Sequence, residues 1–108
     1  MSLYAAYCAE TGVKHILEYE YGFATYHLLG PECYIEDIYV IPEQRKSGGA
    51  SNLAKQVEDI AKAKGCKALL GSVNTKIKDP TTSMKVLLAY GFKFLRADQN
   101  GIWFRKEL

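Results

Sequence analysis

The stretch that decides the fold is YIEDIYVIPEQRKSGGASNLAKQVEDIAKAKGCKALLGSV, residues 34–73. Tyr34–Ile41 is rich in β-branched and aromatic residues and reads as a strand, and Pro42 stops it because proline cannot donate to a sheet ladder. A polar loop with two glycines follows, Arg45-Lys46-Ser47-Gly48-Gly49. The period then changes. Ala50, Leu53, Ala54, Val57, Ile60 and Ala61 fall at the spacing of one helix face, with Lys55, Glu58, Asp59 and Lys62 on the other side. Gly65 sits where a helix ends on a left-handed residue, and Ala68–Val73 is a short apolar run that reads as a buried strand. Strand, glycine loop and helix in that order present free backbone N–H groups at the positive end of a helix dipole, a setting that favours phosphate. Neither GxxxxGK[ST] nor GxGxxG occurs, so the usual nucleotide loops are excluded.

Outward from this core, the N-terminal side reads as strands. Residues 13–29 hold enough Tyr, Ile, Phe and Leu for one or two strands, with Gly22 marking a bulge or turn, and Gly30-Pro31 makes a further turn. Residues 3–9 suit either a strand or a short helix. On the C-terminal side Asp79-Pro80 is a helix start, Met84, Leu87 and Leu88 form its apolar face, and Gly91 ends it. Phe92–Leu95 and Ile102–Lys106 then flank Asn100-Gly101, a hairpin pair. The expectation is a single domain over residues 1–108, an α/β (α+β) arrangement with the sheet covered on both faces.

Composition bounds the function. A chain of 108 residues with 48% hydrophobic and 24% charged residues builds one compact core and is not disordered. No run approaches the ~18 apolar residues of a membrane span. The net charge of +2 gives no argument for nucleic acid or an anionic membrane as partner. Cys8, Cys33 and Cys66 form no CxxC and no zinc spacing, and their odd number argues against a disulfide framework. With no basic, cleavable start the expected location is cytoplasmic. His15 and His27 carry no motif and read as structural; no metal site is expected.

The same residues resemble a known superfamily. Val40-Ile41-Pro42 followed by Arg45-Lys46-Ser47-Gly48-Gly49-Ala50 is similar to the signature [Q/R]-x-x-G-x-[G/A] of the GCN5-related N-acetyltransferases (GNAT), and Ala89-Tyr90-Gly91-Phe92 resembles their helix-to-strand junction. The wording of YIEDIYVIPE is closest to the diamine acetyltransferase branch. The resemblance implies a mixed, mostly antiparallel sheet flanked by helices, here lacking most of the usual N-terminal strand and helices. It implies acetyl-CoA as co-substrate, with Ile38, Tyr39 and Val40 offering backbone groups to its pantetheine arm. Arg45, Lys46, Ser47, Gly48, Gly49, Ala50 and Ser51 would surround its pyrophosphate.

Acetyl transfer to an amine needs a deprotonated nucleophile, a polarised thioester and a proton for the leaving thiolate. Glu36 and Asp37 stand inside the best strand, where a carboxylate needs a reason. Glu36 matches the diamine branch's carboxylate, a base or amine anchor; the other reading is an ordinary ion pair with a neighbouring lysine or arginine. Where the family's general acid is a Tyr, this chain has Leu87, and where its Asn is frequent it has Pro80. Tyr90 and Ser83 are the candidate substitutes. Two functions stand: an N-acetyltransferase acting on an amine of a small molecule or protein, and a non-catalytic CoA-binding or interaction module. The aromatic first third, Leu3, Tyr4, Tyr7, Ile16, Tyr19 and Tyr21, is the expected interface of a homodimer.

Overall fold

The computed structural model describes all residues except 1, 2, 4, 5, 8, 9, 11, 13, 46, 75, 77–79 and 100, and except the side chains of 80–83 and 86. Tyr4, Cys8, Lys46, Asp79 and Asn100, and the side chains of Pro80 and Ser83, therefore lie outside the described residues. Among residues 3–9, the described positions Leu3, Ala6 and Tyr7 are helical and exposed, as is Glu10 just beyond.

Six strands form one sheet: β1 (His15–Tyr19), β2 (Gly22–Leu29), β3 (Glu32–Val40), β4 (Ala68–Val73), β5 (Lys93–Asp98) and β6 (Gly101–Glu107). A single 3₁₀ turn, Pro42–Gln44, and helix α1 (Gly49–Ala63) connect β3 to β4, and helix α2 (Pro80–Tyr90) connects β4 to β5. The order across the sheet is β1-β2-β3-β4-β6-β5, parallel only between β3 and β4 and antiparallel elsewhere. A parallel pair needs a crossover, and α1 is that crossover. Residues 13–29 thus form two strands joined by a tight turn at Glu20–Tyr21, with Gly22 opening β2 rather than bulging it.

α1 lays its apolar stripe on the sheet, with Leu53, Val57 and Ala61 fully buried. They meet Ala24, Cys33, Ile35, Leu69 and Phe104, and Met84 and Leu87 from α2 join the same cluster. α1 ends as its sequence predicts: Gly65 takes φ +85°, and the Cys66 N–H reaches the Ala61 carbonyl at 2.9 Å. Cys33 is sealed in this core, and burial, helped by nearby Cys66, pushes its thiol up to about 12. It is a packing residue, not a nucleophile.

In the aromatic first third Leu3, Tyr7 and Tyr19 are exposed, and two of its tyrosines also contact α1. Tyr19 hydrogen-bonds Gln56, the Asn52 side-chain amide donates to the Tyr21 hydroxyl at 2.6 Å, and the two tyrosine rings stack with centroids 5.7 Å apart. Both side chains reach α1 of their own chain through their hydroxyls, while Tyr19 stays exposed. Their spacing in sequence could not reveal this, because the partners lie more than thirty residues away on another element.

Candidate active site

β3 and β4 are held together by four rungs, Glu32 with Ala68 through Ile35 with Gly71, and by none beyond. Past Ile35 the strands part. β3 runs on through Glu36, Asp37, Ile38, Tyr39 and Val40 with its β4-facing edge unpaired, and β4 continues through Ser72 and Val73. The wedge between them opens a cleft of ≈ 690 Å³, closed on the helix side by Ala50, Ser51 and Ala54 of α1 and by Leu87 and Tyr90 of α2.

At the wide end stands the glycine loop. Gly48 is the N-cap of α1 at φ +83°, a conformation that glycine adopts without strain, and it supplies no side-chain cap. The first turn carries no acidic residue. The early N–H groups of α1 therefore stay open to an anion. Gly49 is needed for a different reason: a Cβ there would lie 3.1 Å from Val40 Cγ1 and 3.3 Å from the Gln44 carbonyl. Arg45 is fixed at the strand exit, its Nε donating to the Val40 carbonyl at 2.9 Å and its guanidinium 5.7 Å from the Tyr39 ring. Ser47 and Ser51 are exposed beside it. Of the expected phosphate-loop residues, Lys46 lies outside the described residues; the others gather here. An unpaired strand edge leading to an uncapped helix start fits a long ligand with amide groups along its arm and a phosphate at its far end.

At the apex a bulge decides where the carboxylates go. β2 pairs Tyr26 with Ile35 and Thr25 with Asp37, so Glu36 has no partner across the ladder. The buried Thr25 hydroxyl accepts from the Asp37 N–H at 3.1 Å, repairing the ladder at the interruption. Both carboxylates lie on the stretch of β3 that lines the cleft, Glu36 as the bulge residue beside Lys14 and Asp37 paired with Thr25. Lys14 Nζ lies 2.7 Å from Glu36 Oε2, and His27 Nε2 lies 3.5 Å from the same oxygen. The hydrogen bond from Lys14 leads in holding the Glu36 carboxyl below the usual carboxylate range. Glu36 is thus held ionised in an ion pair with Lys14, the neighbouring-lysine contact that is the other reading of this carboxylate. The bulge is invisible in the sequence of Tyr34–Ile41, because it is set by the pairing of Thr25 and Tyr26 on the neighbouring strand.

Beside Glu36, Tyr34 shares a 2.9 Å hydrogen bond with Ser72, and its ring packs between His27 and Trp103, with Arg96 over Trp103. This aromatic row spans four strands, and sequence reading did not single it out.

Tyr90 also lines the cleft, on the helix side. Its hydroxyl is inaccessible, with no hydrogen-bond partner among the described residues, and Lys106 Nζ sits 4.3 Å from its ring centre. Burial, then the neighbouring Glu58 carboxylate, raises its phenol above the ordinary value. Leu87, by contrast, packs over Gly71 as a core residue. Glu58 itself is buried: burial pushes its carboxyl up, but Lys106, Lys55 and Lys62 together bring it below the usual range. Among the described residues no cluster of His, Cys, Asp and Glu could hold a metal ion, and no helix is long and apolar enough to cross a membrane.

Comparison with known proteins agrees with this geometry. The profile of the Acetyltransferase (GNAT) family matches residues 5–92. The chain is 44% identical over 50 residues to an aminoglycoside N(6')-acetyltransferase type 1 of Acinetobacter genomosp. 13, covering 46% of this chain and 33% of that protein. It is 41% identical over 51 residues to a thialysine N-epsilon-acetyltransferase of Bos taurus, covering 47% and 29% respectively. The chain spans about a third of the length of these curated relatives. In structure it is similar to the PaiA N-acetyltransferase of Thermoplasma acidophilum in complex with coenzyme A. That match has a TM-score of 0.80 at 18% identity over 98% of this chain and 69% of the other.

Proposed function

Because the chain belongs to the GNAT acetyltransferase family, we propose that it is an N-acetyltransferase that uses acetyl-CoA to acetylate a primary amine at the Glu36 end of the β3–β4 cleft. The observation that carries this reading is the wedge itself, an unpaired β3 edge running from a carboxylate to an uncapped helix start. Acetyl-CoA is the co-substrate that goes with the family, and when bound it supplies the activated acetyl group. The residues to hold it are Ile38, Tyr39 and Val40 through their backbone edge, and Arg45, Ser47, Gly48, Gly49, Ala50 and Ser51 at the phosphate end.

The chain's own residues do the rest. Glu36, kept ionised, binds the ammonium form of the acceptor and orients it at the apex. Asp37, exposed and lining the same apex, is the second carboxylate in reach. His27, on the Glu36 oxygen, is placed to carry the amine's proton away. Tyr90 keeps its proton and stands on the helix side of the cleft. A second reading, a CoA-binding module without turnover, draws on Leu87, which offers no proton where the family carries a tyrosine. A thiolate is a good leaving group, so the transferase reading survives that change.

The test is calorimetric binding of acetyl-CoA followed by a transfer assay over a panel of alkyl amines. Binding with acetylated product supports the transferase; binding with none across the panel supports the module; no binding overturns both.

A further inference from the structure

The chain carries a primary amine of its own on the carboxylate that the proposed reaction uses. Lys14 directly precedes β1, and its Nζ lies 2.7 Å from Glu36 Oε2. That oxygen is closed to solvent, so the contact is direct and not water-bridged. Glu36 is the bulge residue and the first of β3 beyond the last β4 rung, which puts the Lys14 ammonium beside the apex of the cleft. Among the described residues, Lys55, Lys62 and Lys106 are placed elsewhere and converge on Glu58 of α1. A purely structural ion pair of this exposure adds little stability. This one is made to a carboxylate that lines the cleft, which sets the amine one contact away from it.

We propose that Lys14 is an acetylation site of this chain, modified in cis within the cleft. The inference rests on the transferase reading above. In the step, the neutral Lys14 amine forms a bond from Nζ to the acetyl carbonyl carbon, and the carbon–sulfur bond of the thioester breaks. The ammonium gives up two protons in all. One leaves through Glu36 and His27 to water, and the other ends on the sulfur, so that the products are an amide and a free thiol. No oxidant or metal is required. Acetylation removes the Lys14 charge, leaves Glu36 without its main cation, and frees that carboxylate for an external amine.

The experiment follows the purified chain incubated with acetyl-CoA by intact mass and peptide mapping, with acetyl-CoA affinity measured separately by calorimetry. One acetyl group on Lys14 is expected, appearing at a rate that does not change over an about tenfold range of protein concentration. Lys14→Arg should remove the adduct while leaving acetyl-CoA affinity unchanged, with Lys14→Gln as a second variant. Glu36→Gln should slow the adduct by at least ~10². Without acetyl-CoA, acetic anhydride should label Lys14 several-fold less than exposed Lys64 in the parent, and the two equally in Glu36→Gln. A parent that binds acetyl-CoA yet leaves Lys14 unmodified overturns the proposal. So does acetylation spread over Lys62, Lys64 and Lys67 with Lys14 no faster, or a rate that rises with protein concentration. A parent that does not bind acetyl-CoA at all overturns the transferase reading, and this proposal with it.

Discussion

The two halves of β3 are one strand in sequence and two different objects in space. From Glu32 to Ile35 it is paired on both sides, and Cys33 and Ile35 disappear into the core. From Glu36 to Val40 it is paired on the β2 side alone, and Asp37, Ile38 and Tyr39 are exposed. The first half is held by apolar burial and ladder hydrogen bonds. The second leaves backbone groups open to the cleft, where water or a ligand can pair with them. A continuous apolar strand can therefore be half scaffold and half binding edge, divided by one bulged residue.

The largest expected separation of the two halves is kinetic. Glu36→Gln keeps the shape and removes the charge. It should lower acetyl transfer by ~10²–10⁴ while leaving the thermal midpoint and acetyl-CoA affinity close to the parent's. Transfer equal to the parent's with a genuine acceptor would return Glu36 to a structural role and move attention to Asp37.

Next is the scaffold half. Leu69, fully buried on β4 opposite Cys33, is a pure packing residue. Leu69→Ala should cost about 2–5 kcal/mol in denaturant unfolding, with the site's chemistry intact in the molecules that stay folded. A loss below ~1 kcal/mol would show that the four rungs do not form the rigid part of the wedge.

The far end of the binding edge comes third. Gly48 has open space around its absent Cβ, but its left-handed φ is strained for a β-branched residue. Gly48→Val should weaken acetyl-CoA binding more than tenfold with the fold retained; unchanged affinity by calorimetry would remove the loop from the phosphate site.

The smallest effect is electrostatic. The Glu36 carboxyl titrates below its ordinary value, so the stability it contributes is present above the unfolded carboxylate range near ~4.3 and fades as pH falls through its lower folded value. The stability gap between parent and Glu36→Gln should narrow from about pH 7 to about pH 3. A gap that stays constant would mean that Lys14 does not hold this carboxylate in solution.

Much of this molecule was legible in its residues. The periodicity of Ala50–Ala61 fixed α1, Gly65 fixed its end, and the glycine loop pointed to an anion at the helix start, because each signal is local to one element. Reading both faces of β3 as covered, and its two carboxylates as opposed, followed from regular alternation. That fails at Glu36, because a bulge is set by the pairing of Thr25 and Tyr26 across the ladder and not by the bulged strand's own pattern. Likewise the hydrogen bonds of Tyr19 and Tyr21 to Gln56 and Asn52 of α1 are not written in the pattern of the first third. By itself the sequence determined most of the strand and helix segments, and where the glycine loop before α1 lies. The tertiary structure alone decided that β3 and β4 part after Ile35, that Glu36 bulges out of the ladder, and that Lys14 and His27 close on Glu36. Those facts depend on rungs and ion pairs between residues far apart in the chain, and local pattern carries no record of them.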